Sequence, residues 1–187
     1  MNYSDVVSAL IGLLAAVNLL FTFGVVRRLR EHTEELATLR GRNTRDDNIA
    51  LPAGTRVDGF TAETVDGHPI TLESLGSRPL LGFFSPSCTP CKERLPRFVA
   101  YAASRPGGRN GVLAVVSGTP EEASPLVGQL QPVATVVVEA DQGPVQRAFA
   151  VEGFPAFVLV QDGRVQVSDY ELSSITEVDS TAVPAIG

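Results

Sequence analysis

Cys88 and Cys91 are the residues of this sequence whose type and spacing best suit covalent chemistry. They are the only cysteines in the chain, and two residues separate them, so their sulfurs can close a short disulfide. An apolar run at residues 79–84 leads into the pair, and a helix-like run at residues 92–103 leads out of it. The pair therefore lies where a strand ends and a helix begins. The unpaired N–H groups and the positive dipole of a helix start favour the nucleophilic thiolate over the thiol.

A Cys-x-x-Cys pair has three ordinary interpretations: zinc ligands, a static disulfide or a redox pair. Zinc needs about four ligands, and the only histidines, His32 and His68, are far apart and not spaced as a pair. A static disulfide across so short a loop constrains the unfolded chain little. A redox pair is favoured, because the dithiol lies at a strand–helix junction inside an alternating β/α pattern. The sequence predicts no metal and no cofactor.

Length and charge restrict the function classes. The chain has 187 residues, enough for one domain and an appendage, and a net charge of −6. No basic stripe interleaves with aromatic residues, so we expect no nucleic-acid partner.

Residues 1–26 are predicted to be an N-terminal transmembrane anchor, with the span at about residues 6–26. Residues 6–26 carry no charged residue, and as a helix they would extend about 31 Å, close to the thickness of a bilayer core. A signal peptide would need a basic start and a shorter apolar run, whereas here the first five residues contain no Lys or Arg. We therefore expect a retained single-pass membrane anchor.

Residues 27–54 are predicted to form a helical stalk followed by a linker. The stalk has helical composition but sparse apolar positions, and residues 41–54 lack periodicity. Arg27, Arg28 and Arg30 come directly after the span, and by the positive-inside tendency they favour a cytoplasmic location for the stalk and the domain.

Residues 55–187 are predicted to form one α/β domain. Asp66-Gly67 and Asp162-Gly163 are hairpin signals, at the start and at the end of the domain. Between them the pattern alternates, which favours a parallel core made mixed by the last hairpin. The predicted elements are a first hairpin with strands at 57–64 and 70–72, a strand at 80–84, a helix to 104, a strand at 111–116, a helix at 120–130, a strand at 134–138, a helix at 144–150 and a second hairpin with strands at 156–160 and 164–167. Residues 179–187 are expected to be a loose tail.

This order of elements around a Cys-x-x-Cys resembles the thioredoxin fold, a mixed central sheet flanked by helices. Within that fold, the chain resembles the membrane-anchored thiol–disulfide oxidoreductases related to those of cytochrome c maturation. The segment 85–92, Ser-Pro-Ser-Cys-Thr-Pro-Cys-Lys, is similar to the thioredoxin-like accessory proteins of methylamine utilisation, which also carry an N-terminal span. Pro96 and the segment 153–156, Gly-Phe-Pro-Ala, also match the pattern.

The resemblance implies a function and a third site residue. It implies that Pro155 forms a cis peptide bond and faces Cys88 and Cys91 as part of the catalytic site. It also implies that protein thiols or disulfides are the substrates, that an upstream redox partner recharges the pair, and that the domain lies outside the cytoplasm. That location conflicts with the one that the three arginines after the span favour.

The sequence departs from this family at several positions. Ser87 stands where a tryptophan usually precedes the first cysteine, and Arg94 stands where many relatives have a carboxylate that helps proton transfer. Glu93 is one residue earlier, about 100° away around the helix. The strand at residues 80–84 contains no acid, so the proton relay is not assigned.

The leading hypothesis is thiol–disulfide exchange, with Cys88 as the attacking thiol and Cys91 as the resolving thiol. Its redox direction is not fixed by the sequence. One alternative is a peroxiredoxin-like peroxidase, for which Ser85 fits the pattern but Leu81 stands where a proline belongs. Another is a non-enzymatic, membrane-tethered binding module on the same fold.

Overall fold

The computed structural model describes residues 49–181, which are built around a five-stranded mixed sheet. Its strand order is β5-β4-β3-β6-β7, with β3, β4 and β5 parallel to one another and β6 and β7 antiparallel to their neighbours. The strands of the domain are β1 (Ala62–Glu63), β2 (Pro69–Ile70), β3 (Leu80–Phe84), β4 (Val112–Ser117), β5 (Thr135–Glu139), β6 (Ala156–Gln161) and β7 (Arg164–Asp169). The predicted mixed sheet is confirmed. The buried character of β3 and β4 follows from their continuous apolar runs.

Within residues 49–181, four α-helices and two short 3-10 helices accompany the sheet. The α-helices are α1 (Thr89–Ser104), α2 (Pro120–Leu130), α3 (Pro144–Ala148) and α4 (Leu172–Thr181), and the 3-10 helices are Glu73–Leu75 and Gly108–Gly111. Helix α2 begins where the sequence places it, because Thr119 and Glu122 form a capping box and Pro120 takes the first helical position.

The sheet lies between two layers of side chains. Helices α1, α2 and α4 pack on one face, where the rings of Phe84, Phe98 and Phe157 meet with centroids 5.1 to 5.9 Å apart. Segment α3 and the residues before β3 cover the other face, where Phe149 packs against Phe83 and Phe60. Burial of both faces makes the sheet a rigid support for the loops at its ends.

The first predicted hairpin is confirmed at its turn but is shorter than predicted. Only the two residues of β1 pair with the two of β2. The neighbouring residues bond to other parts of the sheet. The Val57 amide donates to the carbonyl of Gly163 in the β6–β7 turn at 3.0 Å, Arg56 forms a bridge with Arg164 of β7, and the Val65 amide donates to Val136 of β5 at 2.9 Å. One continuous segment therefore reaches both outer strands of the sheet and covers part of their unpaired edges.

The predicted loose tail from residue 179 is wrong in its first residues. Helix α4 runs to Thr181, and Asp179 is only 8% exposed. Its carboxylate pairs with Arg78 at 2.9 Å and also contacts Arg105 and Tyr101. The helix docks because Leu172 and Ile175 enter the core beside α1 and the sheet.

No helix within residues 49–181 is long and apolar enough to cross a bilayer. The predicted span at residues 6–26, the stalk and most of the predicted linker lie outside the described residues. Residues 49–54, the end of that linker, pack on the domain, with Ala50 only 2% exposed.

Candidate active site

The two cysteines lie at the end of the sheet where β3 meets α1. Cys88 is the N-cap of α1, with an extended backbone, and its sulfur accepts a hydrogen bond from the Cys91 amide at 3.1 Å. A side chain in this position takes one of the amide protons that a helix start leaves unpaired. We call this end, formed by the carboxyl ends of β3, β4 and β5 and by the start of β6, the dithiol end of the sheet.

Cys88 and Cys91 are joined by a disulfide, with their Cα atoms 5.3 Å apart. The two sulfurs differ in accessibility: Cys88 is half-buried, whereas Cys91 is 0% exposed and packs within the apolar core with Leu95 and Phe98. An incoming group from solvent therefore meets Cys88 first, and Cys91 is reached through Cys88.

Pro155 joins the pair at the start of β6. Its peptide bond with Phe154 is cis, as the resemblance implies, and the carbonyl oxygen of Phe154 lies 3.3 Å from the Cys88 sulfur. The structure thus brings together all three residues that the sequence singles out for the site.

The backbone just before Pro155 is open. Proline has no N–H, and within residues 49–181 the amides of Gly153 and Phe154 have no hydrogen-bond acceptor. Open donors beside a reactive sulfur are groups to which an extended peptide can hydrogen-bond.

Arg94 on α1 is paired with residues that follow β7. Arg94 forms an ion pair with Glu171 and lies over the Tyr170 ring, 5.7 Å from its centroid. The hydrogen bond from Arg94 holds the pKa of Glu171 below its ordinary value. Glu93 is exposed on the first turn of α1. Arg94 therefore acts as a link between α1 and the β7–α4 turn.

A buried acid that the sequence analysis missed, Glu139, lies at the end of β5. It is 8% exposed and accepts hydrogen bonds from the amides of Val145 and Gln146, at 3.1 and 2.9 Å, and from the Gln146 side chain at 3.0 Å. An acid directly after an apolar strand and shortly before Gly143-Pro144 was the available signal, because a carboxylate there can cap the helix that comes next. Glu139 fixes the start of α3.

Gln146 connects Glu139 by hydrogen bonds to the segment that leads to Pro155. It is 0% exposed, its carbonyl accepts from the Val151 amide at 3.0 Å, and its side chain donates to Ala140 at 3.1 Å. The loop that ends at Phe154 and Pro155 is thereby attached to the buried acid.

The reactive atoms of the site are two cysteine sulfurs. The part of the chain that the structure describes holds no group of three or more His, Cys, Asp or Glu side chains placed to bind an ion. Both cysteine sulfurs are bonded to each other.

Known proteins share this architecture. No protein-family model matches the chain. A thiol:disulfide interchange protein from Bacteroides sp. superposes with a TM-score of 0.59 at 17% identity, covering 73% of this chain and 93% of that one. The thioredoxin domain of a thiol-disulfide oxidoreductase from Bacteroides vulgatus gives 0.56 at 16% identity, covering 72% and 99%.

A curated relative matches over a shorter stretch. Sporulation thiol-disulfide oxidoreductase A of Bacillus subtilis is 32% identical over 47 residues, which is 25% of this chain. The match spans 28% of the relative's length. Residues 49–181 therefore have the thioredoxin-like fold found in thiol–disulfide oxidoreductases, with Cys88 and Cys91 as its Cys-x-x-Cys pair.

Proposed function

We propose that this protein is a membrane-tethered thiol–disulfide oxidoreductase that exchanges disulfides with protein substrates. The observation that carries the proposal is the asymmetry of the pair: a half-buried Cys88 at a helix start, bonded to a buried Cys91. The similar proteins described as thiol–disulfide oxidoreductases support it.

The exchange begins from the reduced dithiol. The Cys88 thiolate attacks one sulfur of a substrate disulfide, the substrate S–S bond breaks, and the departing sulfur takes a proton. The resulting mixed disulfide joins Cys88 to the substrate. Cys91, as a thiolate, then attacks the Cys88 sulfur, releases the second substrate thiol and forms the Cys88–Cys91 disulfide. Two electrons pass to the substrate, and the structure shows the oxidised product state.

The local geometry supports Cys88 as the attacking sulfur. The Cys91 amide and the start of α1 stabilise negative charge on Cys88. Burial of Cys91 restricts it to the Cys88 sulfur as a target. A reducing or oxidising protein partner restores the starting state, and the same steps run backwards oxidise a substrate dithiol.

Trapping of the mixed disulfide tests the proposal. The full chain with Cys91→Ser, reduced and then mixed with insulin, should accumulate a covalent adduct that dithiothreitol releases. The matched Cys88→Ser protein should form none, because its remaining thiol is buried. Equal adducts from both variants, or none from Cys91→Ser, would refute the assignment.

Peroxidase activity is the rival reaction. Leu81, where the peroxiredoxin pattern has proline, is a buried β3 residue in the sheet core, and the pairing of Cys88 with a second cysteine three residues away favours disulfide exchange. Peroxide consumption that is lost in Cys88→Ser, in a protein that does not react with insulin, would favour the peroxidase instead.

The other alternative is a non-enzymatic binding module on the same fold. Full biological function of a Cys88→Ser/Cys91→Ser double variant would favour this binding module.

We also propose that residues 6–26 anchor the protein in the cell membrane. Disulfide chemistry favours an extracytoplasmic domain, since disulfides persist there, whereas Arg27, Arg28 and Arg30 favour the cytoplasm. Protease added to intact cells decides between them: removal of a C-terminal tag places the domain outside. Recovery of the full chain in the soluble fraction would refute the anchor.

A further inference from the structure

We propose that Ile49 is a positioning residue for the dithiol, one that holds the loop before Pro155 in place for polypeptide substrates. The proposal rests on the proposed exchange function. It concerns the loop of residues 152–155, which we call the proline loop, and the segment that enters the domain at residues 49–51, which we call the entry segment.

Ile49 contacts the proline loop through both its backbone and its side chain. Its carbonyl accepts a hydrogen bond from the Glu152 amide at 3.0 Å. Its Cδ1 atom lies so close to Gly153 that a Cβ added there would be only 3.1 Å away. The absence of a side chain on Gly153 therefore lets Ile49 lie against the loop backbone.

The entry segment is itself firmly attached. The Leu51 amide donates to the carbonyl of Phe149 at 2.8 Å, and the Leu51 carbonyl accepts from the Ser168 hydroxyl at 2.9 Å. Ala50, beside Leu51, is buried in the core. Ile49 is thus presented from a segment fixed to both the end of α3 and β7.

The rest of the proline loop has few polar contacts of its own. The residue just before the loop, Val151, is held by two hydrogen bonds: its amide donates to the Gln146 carbonyl, and its carbonyl accepts from the Gln142 side chain at 3.4 Å. Beyond Val151, the Glu152 amide is bound by Ile49, while the amides of Gly153 and Phe154 have no acceptor within residues 49–181. Ile49 therefore supplies the nearest backbone restraint on the side before the Phe154 carbonyl, while on the other side β6 begins to pair with β3 at Ala156.

This arrangement distinguishes two classes of disulfide substrate. A small disulfide needs only access to the Cys88 sulfur. A polypeptide disulfide also has to align its backbone with the open groups of Gly153 and Phe154, and a shift of about 1 Å in such a positioning element can slow a reaction by as much as about a hundredfold. Weakening the contacts of Ile49 should then slow the reaction with a polypeptide disulfide more than the reaction with a small disulfide.

The test compares Ile49→Ala with Val133→Ala in the full chain. Val133 is also a half-buried aliphatic residue, but it precedes β5 at the end of the sheet opposite the dithiol. The reduced proteins are mixed with insulin or with glutathione disulfide, and oxidation of the pair is followed by quenched alkylation. We expect Ile49→Ala to slow the insulin reaction about tenfold and to leave the glutathione reaction within about twofold. Val133→Ala should leave both rates near the wild-type values.

The milder substitution Ile49→Val removes only the Cδ1 methyl and keeps the test available if the alanine variant does not fold. An insulin rate about threefold below wild type, with an unchanged glutathione rate, supports the proposal. An unchanged insulin rate, or equal slowing of both disulfides, overturns it. Failure of the wild-type protein to react with either disulfide is a different result, because it overturns the exchange function itself.

Discussion

The carboxylate of Glu139 occupies the space that a side chain on Gly143 would fill. A Cβ built on Gly143 would lie 2.6 Å from Cγ and from one carboxylate oxygen of Glu139. The acid can approach the start of α3 only because residue 143 has no side chain. Glycine is required here because it leaves space for the carboxylate. Its backbone conformation does not require glycine, since a φ of −65° is one that any residue can adopt.

Gly143→Ala should destabilise the domain. The added methyl displaces the Glu139 carboxylate, so buried amides at the start of α3 lose their acceptor. We expect a loss of about 1–3 kcal/mol in the free energy of unfolding, measured by urea denaturation of the full chain in detergent.

Gly128→Ala is the matched control. Gly128 lies inside α2, and no atom lies within 4 Å of the position its Cβ would take. Alanine there should be neutral or stabilise by up to about 1 kcal/mol, because it favours the helix. If both variants unfold at the same urea concentration, the Glu139 cap contributes little.

Gly82→Ala should disrupt the aromatic cluster beneath α1. Gly82 is on β3, and a Cβ there would lie 2.7 Å from two ring atoms of Phe98 and 2.9 Å from one of Phe84. Both rings are fully buried, so neither can turn into solvent. Overpacking of this kind lowers the free energy of unfolding by about 1–3 kcal/mol, which urea denaturation will measure.

The double variant Gly82→Ala/Phe98→Leu separates this cause from a general loss of stability. The smaller leucine gives the new methyl room, so the double variant should lose less stability than the two single losses added together. Strict additivity would contradict the proposed contact between residue 82 and the Phe98 ring.

The elements that could be predicted from the sequence are those with local signals. The strand Leu80–Phe84 is a continuous apolar run, and the helix Pro120–Leu130 has its cap and its proline at the start. Cys88 and Cys91 are similarly local, since a spacing of two residues was enough to expect that their sulfurs could join.

The features that were missed depend on partners far apart in the chain. Asp179 is separated from Arg78 by 101 residues, so no local pattern could show that it is buried in an ion network. Ile49 lies within the stretch without periodicity at residues 41–54, and its contact with Gly153 is one that only the fold brings about. The first hairpin was predicted too long because Val57 bonds to Gly163 in the β6–β7 turn and Val65 bonds to Val136 of β5.

The contacts of Asp179 with Arg78, Tyr101 and Arg105 make the free energy of unfolding of the domain depend on pH. Burial raises the pKa of the Asp179 carboxyl, but the hydrogen bonds from Tyr101 and Arg78 and the charge of Arg105 outweigh it, so the net pKa lies below the ordinary value. A carboxyl with a lowered pKa in the folded state stabilises the fold above its unfolded pKa of about 3.9. That contribution is lost as the pH falls through the folded value.

Asp179→Asn should therefore destabilise the protein more at neutral pH than in acid. Removing one member of a buried ion pair leaves Arg105, itself buried, without its charge partner, and costs about 3 kcal/mol. Urea denaturation at pH 7 and at about pH 3 should show the gap between wild type and variant narrowing, because the unfolded wild-type chain takes up a proton at Asp179 below about pH 4. Asp58→Asn, at an exposed aspartate, should stay close to wild type at both pH values. A gap of the same size at both pH values would show that Asp179 contributes through packing or neutral hydrogen bonds instead of its charge.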